Sequence, residues 1–298
     1  MASRIPPLLE PYLHHLPHET SSLILLSGVL GSSTNWLVHR YLYALLSSQS
    51  LSSSSYSSSS SRRQDEPFDD LHTGAEPQQQ LHASVVFLSF LRDYAFWRDG
   101  CKRLGLDLDV ASKKGSFVFV DGLTELFVPP LLERGLGRER ALRAATTENL
   151  RRVLEDAVAH AQASRSGTRT VLVIDQIDVL LATAGDVMSG QDLRGTVLGL
   201  REKVHSCIVT ISADEPLIAA QGTPLEKEHA SLTLSLAHDA HLIMSLRILE
   251  TGTAKDVSGV LRVTPGGDQE IAGTPVEDRE LLYFIGGDGS VRVFERGQ

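Results

Sequence analysis

A chain of 298 residues with 42% hydrophobic content can fill one large α/β core or two small ones, and 28 basic against 37 acidic residues leave a net charge of −9. That balance excludes a chain that grips nucleic acid by bulk charge alone, since phosphate contacts need clustered Lys and Arg, though a local basic patch stays open. Two cysteines, Cys101 and Cys207, exclude a disulfide framework and a cysteine metal site and fit a reducing compartment.

Residues 1–20 hold four prolines and read as a lead-in arm with at most one helical turn. No secretory leader is read in them. His14, His15 and His18 cluster there, but no partner stands at ligand spacing, so a plain arm is the simpler reading. Residues 21–42, SSLILLSGVLGSSTNWLVHRYL, carry the first signal. Leu23–Leu26 has the length of a buried strand, Ser27 to Thr34 is a small-residue loop, and a helix starts at Asn35. Leu37, Tyr41 and Leu45 fall on one stripe of that helix. Ser33, Thr34 or Asn35 can cap it. Strand, glycine loop and capped helix form the layout of a phosphate-binding loop, whose candidate residues are Gly28, Gly31, Ser32, Ser33 and Thr34. The same layout also serves as a plain strand-to-helix turn. A Walker A loop needs a Lys to neutralise phosphate, and the first Lys of this chain is Lys102.

Twelve of the fifteen residues from 47 to 61 are serine, and 62–80 are rich in Arg, Gln, Asp, Pro and Gly. Such composition cannot offset its ordering entropy, so 47–81 is expected to be a disordered insertion. Ser84–Leu91 is a near-continuous apolar run, as in central parallel strands. Asp93 can cap the next helix, with Tyr94, Trp97, Cys101 and Leu104 on one stripe. Leu106–Ala111 reads as a loop and Phe117–Val120 as a strand. Arg138–Ser164 is the longest helical pattern. Its Arg138, Arg140, Arg143, Arg151 and Arg152 make either a solvated face or a polyanion contact.

Thr170–Leu181 is the second signal: an apolar run ending in Asp175, the shape of a Walker B strand whose Asp serves Mg²⁺ in active enzymes. Residues 183–190 read as a loop, Leu193–Val204 as an amphipathic helix, Cys207–Ile211 as a strand and Ala213–Ala230 as a long polar loop. His238, Asp239 and His241 stand at a strand entrance without a third converging group. The remaining apolar segments alternate, and Gly286-Gly287-Asp288-Gly289 marks a hairpin. They predict antiparallel strands added to a parallel core. No run approaches the roughly 20 apolar residues of a membrane helix.

Four ordered stretches then resemble a known family: LLSGVLGSSTNWLVHRYLYALL (25–46), VVFLSFLRDYAFWRDGCKRLGLDL (85–108), FVFVDGLTELF (117–127) and TGTAKDVSGVLRVTPGG (251–267). They are similar to the sixth subunit of Elongator in its fungal form, and more broadly to the RecA-type ATPase core. The resemblance covers nearly the whole chain outside the serine insertion. It implies one RecA-like α/β domain over 21–298, a degenerate phosphate loop, no cofactor and no catalysis of its own. It further implies a hetero-hexameric ring with subunits four and five that binds tRNA and assists wobble-uridine modification by the catalytic Elongator subunits, in cytoplasm and nucleus. By the same resemblance, Thr183–Gln191 and Asp214–His229 would face the ring channel. Arg194, Arg201 and Lys203 would be the cations nearest bound tRNA. Two other classes are consistent with parts of the pattern: an active RecA-like ATPase, which the missing Lys disfavours, and a DNA-recombination paralogue scaffold, which the net charge disfavours.

Overall fold

The computed structural model describes residues 4–14, 21–51, 83–128, 140–165, 167–249, 252, 254–267 and 276–296. After a 3-10 turn at Pro7–Leu9 come α1 (Glu10–His14), β1 (Ser22–Gly28), α2 (Asn35–Leu51) and β2 (Ala83–Ser89). The middle of the chain forms α3 (Tyr94–Arg103), α4 (Leu108–Lys113), β3 (Phe117–Asp121), α5 (Thr124–Phe127), β4 (Arg140–Ala141), α6 (Thr147–Ser164) and β5 (Arg169–Asp175). Next are α7 (Val179–Ala184), α8 (Gly190–Arg201), β6 (Ser206–Ser212), a π turn at Pro216–Ala220 and α9 (Pro224–Asp239). The last strands are β7 (Leu242–Arg247), β8 (Gly259–Pro265), β9 (Arg279–Ile285) and β10 (Val291–Phe294).

Among the described residues ten strands form one sheet in the order β10-β9-β8-β7-β1-β6-β5-β2-β3-β4. From β7 to β4 every pairing is parallel; β8, β9 and β10 add antiparallel. β1 lies between β6, where Gly28 pairs with Ser212, and β7, where Gly28 pairs with Leu246. Its alternation sorts side chains to two layers. Ile24 and Leu26 join a core built with α1 to α4, while Leu23 and Leu25 join one built with α6 to α9. Both faces of the sheet are thus covered, which is why β1, β2, β5 and β6 read as continuous apolar runs. Buried hydroxyls along β1 are matched across the ladder: Ser22 Oγ lies 2.7 Å from Ser206 Oγ and Ser27 Oγ 2.9 Å from Ser245 Oγ.

Several expectations need correcting. The arm is more than one turn: the 3-10 turn runs into α1, and Leu9 and Leu13 are buried in the core. His15 and His18 lie outside the described residues. α2 runs on to Leu51, into the segment read as insertion, because serine tolerates a helix end; 52–82 lie outside the described residues. The supposed loop at Leu106–Ala111 contains the start of α4, whose first turn is capped by the Asp107 carboxylate accepting from Val110 N. The helix expected from Arg138 begins only at Thr147, capped by Thr146, because Arg140 and Ala141 pair with β3. The expected long loop at Ala213–Ala230 is mostly helical, and β7 belongs to the parallel core. The Asp93 cap holds, its carboxylate accepting from Phe96 N at 2.9 Å.

Candidate functional site at the strand ends

In open α/β sheets, ligands sit beyond the carboxyl ends of the parallel strands. Here the loops after β1, β2, β5 and β6 meet at that edge. The β1–α2 loop turns at Gly31, whose φ of +88° suits glycine. Ser32 Oγ donates to the Val29 carbonyl at 2.7 Å, lies 3.0 Å from the Leu246 carbonyl, and accepts from the Val29 amide. The Leu37 and Val38 amides both bond the Thr34 carbonyl at 3.0 Å, starting α2. The Leu30 amide donates to Asp214 Oδ1 at 2.6 Å. Counting G-x-x-x-x-G-K-[ST] from Gly28 sets Ser33, Thr34 and Asn35 on the last three places. Thr34 stands where the lysine would be and is only 3% exposed.

Asp175 ends β5 in the interior. Its carboxylate accepts from Ser89 Oγ at 2.9 Å and from Thr210 Oγ1 at 3.0 Å, bracing β2, β5 and β6. Each hydroxyl in turn accepts an N–H: Trp97 Nε1 bonds Ser89 Oγ and the Gln176 amide bonds Thr210 Oγ1. Both hydroxyl protons are therefore directed at Asp175, which acts as a double acceptor. Burial raises its pKa to about 6, against the opposing pull of those two hydrogen bonds. Nearby, Asp178 Oδ2 lies 3.4 Å from His229 Nε2, with both residues buried, tying the start of α7 to α9.

The cations named from the sequence lie elsewhere. Arg201 closes α8, just before β6, and bonds the carbonyls of Ser21, just before β1, and Asp239, just before β7. Arg194 binds both oxygens of Asp239, at 2.6 and 2.9 Å, which holds that carboxyl below its ordinary range. Lys203 Nζ reaches Glu155 Oε1 at 2.6 Å. All three thus sit toward the amino-terminal edge of the parallel strands, opposite the glycine loop, and each bonds a partner within the chain.

The arginines around α6 are also partly matched. Arg143 pairs with Glu125 at 2.8 Å and Arg151 with Glu148 at 2.6 Å, exposed contacts of small net worth. Arg138 lies outside the described residues. No group of three His, Cys, Asp or Glu among the described residues could hold a metal ion. Nor is any helix among them long and apolar enough to cross a membrane. Near the loop, Trp36 is buried against Tyr283, with ring centroids 5.1 Å apart. Leu30 stands out, 84% exposed, and Ile248 lies over the adjacent Gly31. Sequence reasoning missed Asp214, for which the available signal was an acidic residue directly after a strand.

Comparison with known proteins agrees with this geometry. A solved KaiC-like protein from the archaeon Pyrococcus horikoshii superposes with a TM-score of 0.54 over 99% of this chain and 98% of its own, at 15% identity. That likeness supports the RecA-like fold. The Elongator complex protein 6 homolog of Schizosaccharomyces pombe is 24% identical over 97% of both chains. Human Elongator complex protein 6 is 25% identical over 62% of this chain and 69% of its own. The family model described as Elongation complex protein 6 matches residues 78–285, so the chain belongs to that family.

Proposed function

We propose that the chain is a non-catalytic subunit of Elongator, built into a hetero-hexameric ring with subunits four and five. The ring binds tRNA and supports wobble-uridine modification by the catalytic Elongator subunits, in cytoplasm and nucleus. The observation that carries this reading is the near end-to-end match to an Elongator subunit-6 homolog, over 97% of both chains. The site favours an accessory role over hydrolysis. A buried Thr34 replaces the lysine that would neutralise β- and γ-phosphates, and both Asp175 oxygens are engaged by hydroxyls instead of facing a metal. The Walker-like motifs are read as degenerate on those grounds.

The tRNA share of this subunit is read as small. Arg194 and Arg201 serve as braces within the chain, and Lys203, half exposed, is the cation of the three best placed to lend charge to an RNA. Co-expression with subunits four and five, with the mass measured, tests the reading. A hetero-hexamer without steady-state ATP turnover from the purified lone subunit supports it. A well-behaved monomer that ignores both partners refutes it, and so does turnover that is lost in Asp175→Ala.

A further inference from the structure

One amide of the β1–α2 loop, that of Leu30, is bonded to a carboxylate of the chain itself. The Leu30 amide points at Asp214 Oδ1, 2.6 Å away, in the short range of charge-assisted bonds. Asp214 is fixed from its own side as well. The Ala213 amide bonds the Gly28 carbonyl at 2.8 Å, carrying the β1–β6 ladder one step past Ser212. The Leu217 amide bonds the Asp214 carbonyl at 2.9 Å, opening the π turn. Three other amides of this stretch are also taken up internally. Val29 N serves Ser32 Oγ and the Leu246 carbonyl, Ser32 N serves the Val29 carbonyl, and Asn35 N serves Ser33 Oγ.

We propose that Asp214 is an internal latch: its carboxylate fills the place that a phosphate would take at this loop and shuts phosphoanions out. An entering phosphate would have to displace a carboxylate from its amide and then sit beside a like charge. Exclusion by Asp214 acts in addition to the missing lysine. The latch is a property of the lone chain, so it stands or falls separately from the ring reading. It also fixes the backbone on which Leu30 is displayed.

The test uses the full-length protein labelled with ¹⁵N, with inorganic pyrophosphate as the probe. In the wild type, pyrophosphate leaves the amides of 29–34 unmoved. In Asp214→Ala, the Leu30 amide exchanges with solvent faster by about tenfold or more, the factor a hydrogen bond to a charged acceptor is worth. Pyrophosphate then shifts the loop amides in a saturable way. Asp214→Asn, which keeps a neutral acceptor and the same shape, guards against a folding defect; its Leu30 exchange falls between the two. Saturable shifts in the wild type overturn the latch, because the seat would then be open. Leu30 exchange unchanged in both variants, or no pyrophosphate response in Asp214→Ala, overturns it equally.

Discussion

Burial acts on His39 and Asp175 in opposite senses. His39 lies within α2 against Trp97, ring centroids 4.9 Å apart, and its pKa is lowered to about 4 by burial and then by the Arg40 charge. A lowered folded value means the unfolded chain binds the extra proton, so this contribution is lost as pH falls from 6.5 toward 4. Asp175 is raised to about 6 from 3.8, so the folded chain holds the extra proton, and its contribution is lost as pH rises through 6. Between pH 4 and 6 the two slopes oppose each other. Relative to wild type, Asp175→Asn should add a stability that rises with pH across this window, and His39→Phe one that falls. Urea melts across the window measure both; parallel curves would contradict the assignment. His39 also makes Gly100 necessary, since a Cβ there would come 2.0 Å from His39 Nε2. Gly100→Ala should cost about 1–3 kcal/mol, most of it recovered when His39→Ala is added, by a double-mutant cycle of thermal melts.

At the scale of elements, α9 teaches most. Pro224 falls inside the stretch read as a polar loop, yet it occupies the first helical turn, where its missing N–H costs nothing. The Thr223 side chain accepts from Glu226 N, while Glu226 Oε2 accepts from the amides of Gly222 and Thr223. This capping box was legible as T-P-L-E but was outweighed by the proline and the charges. Thr223→Ala should lower stability by about 1 kcal/mol, visible as a lower melting midpoint. The strands were legible because burial on both faces leaves unbroken apolar runs, as in Val85–Leu88 and Val171–Ile174. The α6 boundary was not: Arg and Ala favour helices, but the ladder to β3 overrides propensity at Arg140 and Ala141. Gly28 and Asp175 as strand ends, and Gly31 as a loop turn, were legible in the sequence. Asp214 was not, because its role depends on two loops that meet only in space.

For the whole molecule, the carboxyl edge of the parallel strands offers surface beyond the two covered faces of the sheet. Leu30 sits there 84% exposed, with the half-exposed Ile248 over the adjacent Gly31. An apolar side chain held out on a braced loop suits a partner contact more than a packing role. Leu30→Asp should leave the melting midpoint of the lone chain within about 0.5 kcal/mol of wild type, as for other surface changes. It should reduce the yield of the proposed hetero-hexamer on co-expression with subunits four and five. Undiminished assembly would remove Leu30 from the interface.

The serine pairs along β1 join residues 184 and 218 positions apart. Read as a timetable of synthesis, that spacing means the central strand is made early and its neighbours late. At 5–20 residues per second, β1 waits roughly 10–40 s for β6 and β7 to be translated. Throughout that interval Leu23–Leu26 lacks both ladder partners, the condition in which an apolar strand seeks other chains. The nascent protein should therefore depend on a holding chaperone and fold as a late, concerted event. Ribosome-stalled chains carrying residues 1–240 and a spacer should be cut by protease around β1 and α2, whereas stalled full-length chains with the same spacer should resist. Equal resistance of both would show that the amino-terminal part closes without its final neighbours.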